Sequence, residues 1–242
     1  MNNEAPLVRW LRSNRATLLL ILMVLLCLAL SIAEQYRYGI VVLAPLAVLV
    51  IVAAAHVASR YRRVFRTIII PLAVAWLIAR VSQVVVSVPS GEVQVTLMLA
   101  LALTVGLLLV LLWSLAEAQQ INTETISQAF SGYLLIAIAF AQCYDILNYI
   151  VPGAFNPPAP PGPISLFIYF SISTLTTVGY GDVTPLDPFV RIVAAIEATT
   201  GIFYQTVVIA RLVALYIPRH PLERRPDPLG QPKVKPVPSG GP

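Results

Sequence analysis

Residues 177–181 read TVGYG and combine two glycines, a hydroxyl group and two bulky side chains. Glycine adopts left-handed backbone conformations without the steric cost that a β-carbon brings. Glycines at alternate positions therefore allow successive carbonyl oxygens to turn toward one axis. We expect Val178 and Tyr180 to point away from that axis and to brace the backbone against the preceding helix. Such a stack of neutral oxygens, with the Thr177 hydroxyl at one end, suits a weakly hydrated monovalent cation.

The composition around this stretch is that of a membrane protein. Of the 242 residues, 58% are hydrophobic and 11% are charged, whereas soluble domains carry about 25% charged residues. A helix that spans a bilayer needs about 20 mostly apolar residues. Stretches that meet this length are 16–33, 39–58, 67–88, 94–115, 126–150 and 189–217. The sequence therefore predicts an all-α integral membrane protein with six transmembrane helices.

A shorter apolar stretch, 164–177, lies between the fifth and sixth predicted crossings. It is too short to cross, and its length is typical of a re-entrant or buried helix. Non-helical backbone at membrane depth persists only where protein buries it or where it lines a watery cavity. We therefore expect a re-entrant helix followed by non-helical backbone at residues 177–181.

Basic residues concentrate on one side of the predicted crossings. They precede the first crossing, lie between the second and third, and follow the sixth. The positive-inside rule assigns that side to the cytoplasm, so we expect both termini inside a cell (plasma or inner) membrane. The net charge of +5 then reflects topology, and no nucleic-acid partner is expected. The first apolar run also resembles a signal peptide ending near Ala33, but its length favours an uncleaved helix.

The segment from about 126 to 217 resembles the pore unit of the potassium-channel superfamily, whose TVGYG filter signature is present unaltered at residues 177–181 (the filter loop). The resemblance makes the re-entrant helix a pore helix. Ring-like arrays of carbonyl oxygens select K⁺ in that superfamily. The resemblance implies passive, potassium-selective conduction by a homotetramer, with K⁺ ions in the filter, no organic cofactor and no enzymatic activity. The implied ligands are the carbonyl oxygens of Thr177, Val178, Gly179 and Tyr180 and the Thr177 hydroxyl, with Gly181 completing the signature.

The resemblance also gives roles to residues around the filter loop. Ser173 and Thr176, near the end of the pore helix, support the filter, and Asp182 lies at the outer mouth, where carboxylates concentrate cations. Many members carry paired tryptophans in the pore helix, and the aligned positions here are Tyr169 and Phe170. Because Phe170 cannot donate a hydrogen bond to the filter tyrosine, the bracing of the filter differs here. We expect Tyr169 to reach Asp182 instead.

The sixth predicted crossing carries three further candidates. Gly201 lies twenty residues past Gly181, at the position of the superfamily's hinge glycine, and serves either as a hinge or to allow close packing on the pore helix. Glu197 is expected near the depth of the filter, where it braces the filter from behind or senses pH or cations. We expect Arg211, near the cytoplasmic end, to extend to lipid head groups.

The order of the crossings matches that of voltage-gated channels, but the fourth crossing contains no arginine or lysine. Charges that move through the membrane field supply the work of voltage gating, so conventional voltage sensing is not expected. Arg80 in the third crossing and Asp145 in the fifth fall at similar depth. Membrane-embedded charges are costly unless paired, which favours an ion pair between these two residues.

These expectations divide the chain into four parts. They are a cytoplasmic N-terminus (1–15), a four-helix sensor-like membrane domain without gating charges (16–115), a pore domain (116–217) and a disordered proline-rich cytoplasmic tail (218–242). Three alternatives remain open. The first is a poorly selective cation channel. The second is a pore controlled by the first four helices, which would bind membrane lipids or another membrane protein, and the third is a non-conducting scaffold with a vestigial filter.

Overall fold

The computed structural model describes most of the predicted membrane part of the chain. The described residues are 14–33, 47, 50, 51, 53, 54, 62–86, 91–158 and 164–216. The expected N-terminal segment lies outside them except for its last two residues, and so does the expected disordered tail. Most of the predicted crossing 39–58 also lies outside, although Val50 and Ala53 within it are helical and buried.

The described residues form helices and one short β-ribbon. Their bounds are α1 (Arg15–Ala33), α2 (Ile70–Val86), α3 (Gly91–Ala116), α4 (Thr123–Ile150), β1 (Phe155–Asn156), α5 (Ile164–Leu175), β2 (Thr184–Pro185) and α6 (Pro188–Tyr216). One helical turn, Arg62–Val64, and a π-helical stretch, Phe65–Ile69, lead directly into α2. The β-ribbon is an addition to the predicted all-α fold.

Five helices among the described residues are long and apolar enough to span a membrane. They correspond to the first, third, fourth, fifth and sixth predicted crossings. The 12-residue helix α5 lies between the last two, as expected for the pore helix. The chain is therefore a multi-pass, mainly helical membrane protein, and the crossing 39–58 stays a prediction.

The starts of α4 and α6 follow from capping residues in the sequence. The side chain of Asn122 accepts a hydrogen bond from the Thr125 N–H at 2.8 Å, which satisfies one of the free donors at a helix start. At α6, the Asp187 carboxylate accepts from the N–H groups of Phe189 and Val190 at 2.8 and 3.2 Å. Pro188 then occupies the first helical position, where its missing N–H costs nothing.

Helix α4 is the central element, because α1, α3, α5 and α6 all pack against it. One apolar cluster contains residues of α1, of α3 and of the π-helical stretch that leads into α2. A second cluster surrounds α5 and contains the aromatic residues Tyr144, Phe155, Phe167 and Phe170. Cys27 and Leu30 of α1 pack against this second cluster. Helix α1 therefore contacts the surroundings of α5 as well as the first apolar cluster.

The end of α6 is tied to the end of α3. The Arg211 guanidinium donates hydrogen bonds to the carbonyl oxygens of Ala116 and Ala118, the latter at 3.1 Å. Carbonyls at a helix C-terminus lack intrahelical partners and carry partial negative charge, so a guanidinium satisfies both needs. The expectation that Arg211 extends to lipid head groups is therefore wrong: its partners belong to the protein.

A membrane-embedded arginine and carboxylate attract each other across α2 and α4. Arg80 interacts electrostatically with Asp145, and the Asp145 side chain is only 5% exposed. This agrees with the pairing expected from their similar depth. The attraction links α2 to α4, the central helix.

Reversing one of these charges should therefore cost more than reversing both. Arg80→Glu or Asp145→Arg alone places two like charges next to each other where one of the two side chains is buried, and breaking a fully buried pair costs about 3–5 kcal/mol. We expect each single variant to lose most folded protein in size-exclusion chromatography, and the double variant to recover it. Arg66→Glu, at an exposed position, should behave as the unaltered protein. A double variant no better than either single one would contradict the pairing.

Candidate selectivity filter

The filter loop begins where α5 ends in a capping motif. The Thr177 N–H donates to the carbonyl oxygen of Thr174 at 3.0 Å. The N–H groups of Val178 and Gly179 both donate to the carbonyl oxygen of Ser173, at 2.9 and 3.1 Å. The first two of these bonds, with a left-handed residue after the helix, form a Schellman motif. The last turn of α5 therefore fixes the first three residues of the filter loop.

Left-handed conformations occur at every second residue of the filter loop. The φ angles are 60° at Thr177, 54° at Gly179 and 80° at Gly181. The alternation expected at the two glycines is confirmed, and Thr177 extends it. A left-handed conformation costs a non-glycine residue about 1–2 kcal/mol, and glycine usually occupies this place in a Schellman motif. Threonine at this position brings a side-chain hydroxyl group, which glycine lacks.

Ser173 and Thr176 support the end of α5 in different ways. Ser173 holds the filter loop through its carbonyl oxygen, while its own hydroxyl donates to the carbonyl of Phe170 at 2.9 Å. The Thr176 hydroxyl donates to the carbonyl of Ile172 at 2.7 Å. Thr176 therefore stabilises the last turn of the helix, and through it the start of the loop.

At the other end of the filter loop, Tyr169 reaches Asp182 as expected. Its hydroxyl donates to a carboxylate oxygen at 2.7 Å, and its ring stacks on that of Tyr180, with centroids 6.0 Å apart and planes 8° from parallel. The hydrogen bond to Asp182 raises the pKa of Tyr169 to about 12. The phenol therefore remains the donor at neutral pH.

Phe170 points away from the filter loop. Its ring is buried and lies edge-on to those of Tyr144 and Phe155, with centroids 5.0 and 5.5 Å away. Phe170 therefore anchors α5 in the aromatic cluster and does not replace a tryptophan that hydrogen-bonds the filter. Among the described aromatic residues, Tyr169 is the one that stacks on Tyr180.

The segment after the filter loop is tied to the loop that follows α4. Strands β1 and β2 pair antiparallel, with Phe155 opposite Pro185, and the Leu186 N–H donates to the carbonyl of Ala154 at 2.8 Å. Sequence reasoning missed this ribbon, because two-residue strands beside prolines show no alternating pattern. The ribbon fixes the outer end of the filter region relative to α4.

Glu197 braces the pore helix from behind. Its side chain is fully buried, and one carboxyl oxygen accepts from the Tyr144 hydroxyl at 2.6 Å. The Ser171 hydroxyl lies within hydrogen-bonding distance of the other oxygen. Glu197 thus links α6 to α4 and α5. Its partner on α5, Ser171, lies two residues before Ser173, whose carbonyl oxygen holds the filter loop. Neither Tyr144 nor Ser171 was singled out from the sequence, and the only signal was a polar group in an apolar helix.

Gly201 lies in close contact with the end of α5. A β-carbon at this position would be 2.1 Å from the carbonyl oxygen of Leu175, far inside van der Waals contact. That carbonyl also accepts a hydrogen bond from Tyr133 at 2.9 Å, so it cannot easily move. The structure therefore supports the close-packing role of Gly201, and the hinge role stays a prediction.

The filter loop has protein packed on one side only within a single chain. Val178 is 54% exposed and Tyr180 is 70% exposed, and the bracing expected of Val178 stays a prediction. Helix α6 also presents exposed apolar side chains along its length. They are Ile192, Ile196, Ile202, Phe203 and Val207. Lipid or neighbouring protein would cover the apolar side chains of α6 in a membrane, whereas Val178 and Tyr180 belong to non-helical backbone, which lipid cannot cover.

Comparison with known proteins also indicates an ion channel. A family model described as "Ion channel" matches residues 161–217. The chain is 27% identical over 82 residues to the inward rectifier potassium channel Kirbac3.1 of Paramagnetospirillum magnetotacticum, covering 34% of this chain and 25% of that protein. It is 31% identical over 110 residues to Protein LctB of Bacillus caldotenax, covering 42% of this chain and 81% of that protein. The chain thus spans a quarter of the first relative's length.

The contact at Gly201 predicts that a single methyl group is harmful there. Gly201→Ala should displace the end of α5 and destabilise the fold by about 1–3 kcal/mol, the usual cost of overpacking. Thermal unfolding in detergent would measure this. Gly106→Ala is the matched control, because its β-carbon would meet only the flexible end of Ile69. Equal stability of the two variants would contradict the packing role.

The Tyr169 hydrogen bond predicts a role in keeping the filter region ordered. Tyr169→Phe removes the donor to Asp182 and keeps the ring that stacks on Tyr180. We expect ionic current to decay about two- to ten-fold faster during sustained opening, as for loss of one ordinary hydrogen bond at an exposed site. Adding Asp182→Asn should accelerate the decay no further, since both changes remove the same contact. Unchanged decay in Tyr169→Phe would count against this role.

Proposed function

The chain belongs to the potassium-channel superfamily, and on that premise we propose that it is a potassium-selective channel that conducts K⁺ passively through a tetrameric pore. The observation that carries the proposal is the filter loop itself. Left-handed residues alternate along it, directly after a short helix between two long apolar ones. That backbone form turns carbonyl oxygens into a row, which a glycine turn of no special function does not require.

K⁺ is the transported ion, and its proposed ligands are neutral oxygens. They are the carbonyl oxygens of Thr177, Val178, Gly179 and Tyr180 and the Thr177 hydroxyl, with Gly181 completing the loop. Carbonyl oxygens replace the hydration shell of the ion in such filters. The C-terminal end of α5 carries partial negative charge and adjoins the start of the loop, which favours a cation there.

Four copies of the chain are proposed to surround the pore. One chain supplies a single wall of a carbonyl ring, and closed symmetry supplies the others. The exposed side chains of Val178 and Tyr180 support this assembly, because they lie on non-helical backbone at membrane depth, which only protein or a watery cavity can cover. In the tetramer, four Asp182 carboxylates would ring the outer mouth and concentrate cations.

The division of labour along the chain follows the same proposal. Residues 116–217 form the pore domain, and residues 16–115 form a sensor-like domain that does not sense voltage in the conventional way. Helix α3 contains no arginine or lysine between Gly91 and Ala116, and voltage gating needs mobile charge. Both termini are assigned to the cytoplasm in a plasma or inner membrane, from the distribution of basic residues.

A channel that conducts monovalent cations with little selectivity is the second candidate. The observation in its favour is the sparse bracing of Tyr180, whose ring is 70% exposed within one chain. Phe170 faces the aromatic cluster and offers the filter no hydrogen bond. Contacts with neighbouring copies would decide how rigid the loop becomes.

The proposal predicts that conduction depends on Gly179. Gly179→Ala penalises the left-handed backbone by about 1–2 kcal/mol and should turn the adjacent carbonyls off the axis, so K⁺ flux into proteoliposomes should fall to background. Gly153→Ala is the matched control, because Gly153 also has positive φ and open space at its β-carbon, but lies in the loop after α4. Full flux in Gly179→Ala, or equal loss in both variants, would contradict use of the filter loop.

A further inference from the structure

Three buried side chains from three helices meet behind the pore helix. Glu197 of α6, Tyr144 of α4 and Ser171 of α5 are each fully buried. The Tyr144 hydroxyl donates to Glu197 Oε2 at 2.6 Å, and Ser171 Oγ contacts Glu197 Oε1. Ser171 Oγ also lies 2.7 Å from the carbonyl oxygen of Ala137 on α4.

The number of protons in this cluster depends on the Ser171 hydroxyl. A hydroxyl has one proton to donate, and a carbonyl oxygen can only accept. If Ser171 donates to the Ala137 carbonyl, its contact with Glu197 Oε1 needs a proton from the Glu197 side. A protonated Glu197 therefore satisfies all three contacts, with Tyr144 donating to Oε2, Glu197 donating to Ser171, and Ser171 donating to Ala137. An ionised Glu197 leaves two acceptors competing for one serine proton.

The surroundings of Glu197 favour the same state. The titratable groups that interact with it among the described residues are Tyr133, Cys143 and Tyr144 of α4, and Ser171 is its partner on α5. All of these groups are neutral at neutral pH, and none of them supplies a compensating positive charge. A buried carboxylate without a cationic partner costs several kcal/mol, whereas a carboxylic acid costs much less.

We propose that Glu197 is a neutral carboxylic acid that donates a hydrogen bond to Ser171 and so positions the pore helix, and that its deprotonation in alkaline solution impairs conduction. Ser171 lies two residues before Ser173, whose carbonyl oxygen holds the N–H groups of Val178 and Gly179. A shift of α5 away from α6 would therefore move the start of the filter loop. The conduction part of this inference rests on the proposed channel function.

Infrared spectroscopy tests the protonation state without requiring conduction. The difference spectrum between the unaltered protein and Glu197→Gln, in lipid at neutral pH, should contain the C=O stretch of a protonated carboxylic acid. That band should disappear in alkaline solution while carboxylate bands grow. Glu117→Gln is the control and should show a carboxylate at neutral pH, because Glu117 is exposed at the end of α3. A carboxylate signal from Glu197 at neutral pH would overturn the inference.

Potassium flux against pH tests the positioning role. Flux through the unaltered protein should fall about ten-fold over the pH range in which the acid band disappears, as for one buried group left unsatisfied. Glu197→Gln should keep its flux and lose the alkaline fall, because its amide donates to Ser171 and accepts from Tyr144. Potassium flux through Glu197→Ala should be about ten-fold lower at every pH. If Glu197→Ala does not fold, the flux of Glu197→Gln against pH decides the test.

Two results separate failure of this inference from failure of the channel proposal. Flux that stays flat through the loss of the acid band, with Glu197→Gln as impaired as Glu197→Ala, would overturn the positioning role while conduction stands. Absence of flux in the unaltered protein would contradict the channel proposal and with it the conduction part of this inference. The infrared result would still decide whether Glu197 carries the proton.

Discussion

Backbone that leaves a helix inside a membrane must have its polar groups held by protein. In this chain the carbonyl oxygen of Ser173 meets that need by accepting the N–H groups of Val178 and Gly179. The geometry of the filter loop therefore depends on where the last turn of α5 lies. Gly201 packs directly on that turn, and Glu197 is linked to the turn before it. The left-handed conformation of Thr177, which costs a non-glycine residue free energy, persists because these contacts hold the end of α5 in place.

The sequence was sufficient for features that depend on local chemistry. Apolar length predicted five of the described spans and the short helix α5, and the glycines predicted left-handed backbone at 179 and 181. Features that depend on tertiary contact were not predictable. The left-handed Thr177 follows from capping of α5, and the partners of Glu197 come from helices 26 and 53 residues away. Arg211 was misjudged because its partner carbonyls lie 95 and 93 residues earlier.

The first half of the chain supports the pore without charge in its fourth predicted crossing. Helix α1 lies along α4 and reaches the aromatic cluster around α5 through Cys27 and Leu30. Arg80 of α2 interacts with Asp145 of α4, and Arg211 of α6 holds the end of α3. These contacts join α1, α2 and α3 to α4 and α6. Displacing them would therefore stress the helices that hold α5.

The central claim is that the filter loop selects K⁺. The most direct measurement is the current carried by the purified protein in a planar bilayer, with potassium on one side and sodium on the other. Our account predicts a reversal potential close to the potassium equilibrium value, because carbonyl oxygens aligned by the alternating backbone replace the hydration shell of K⁺. A reversal potential near zero would contradict it and show that the loop admits both ions.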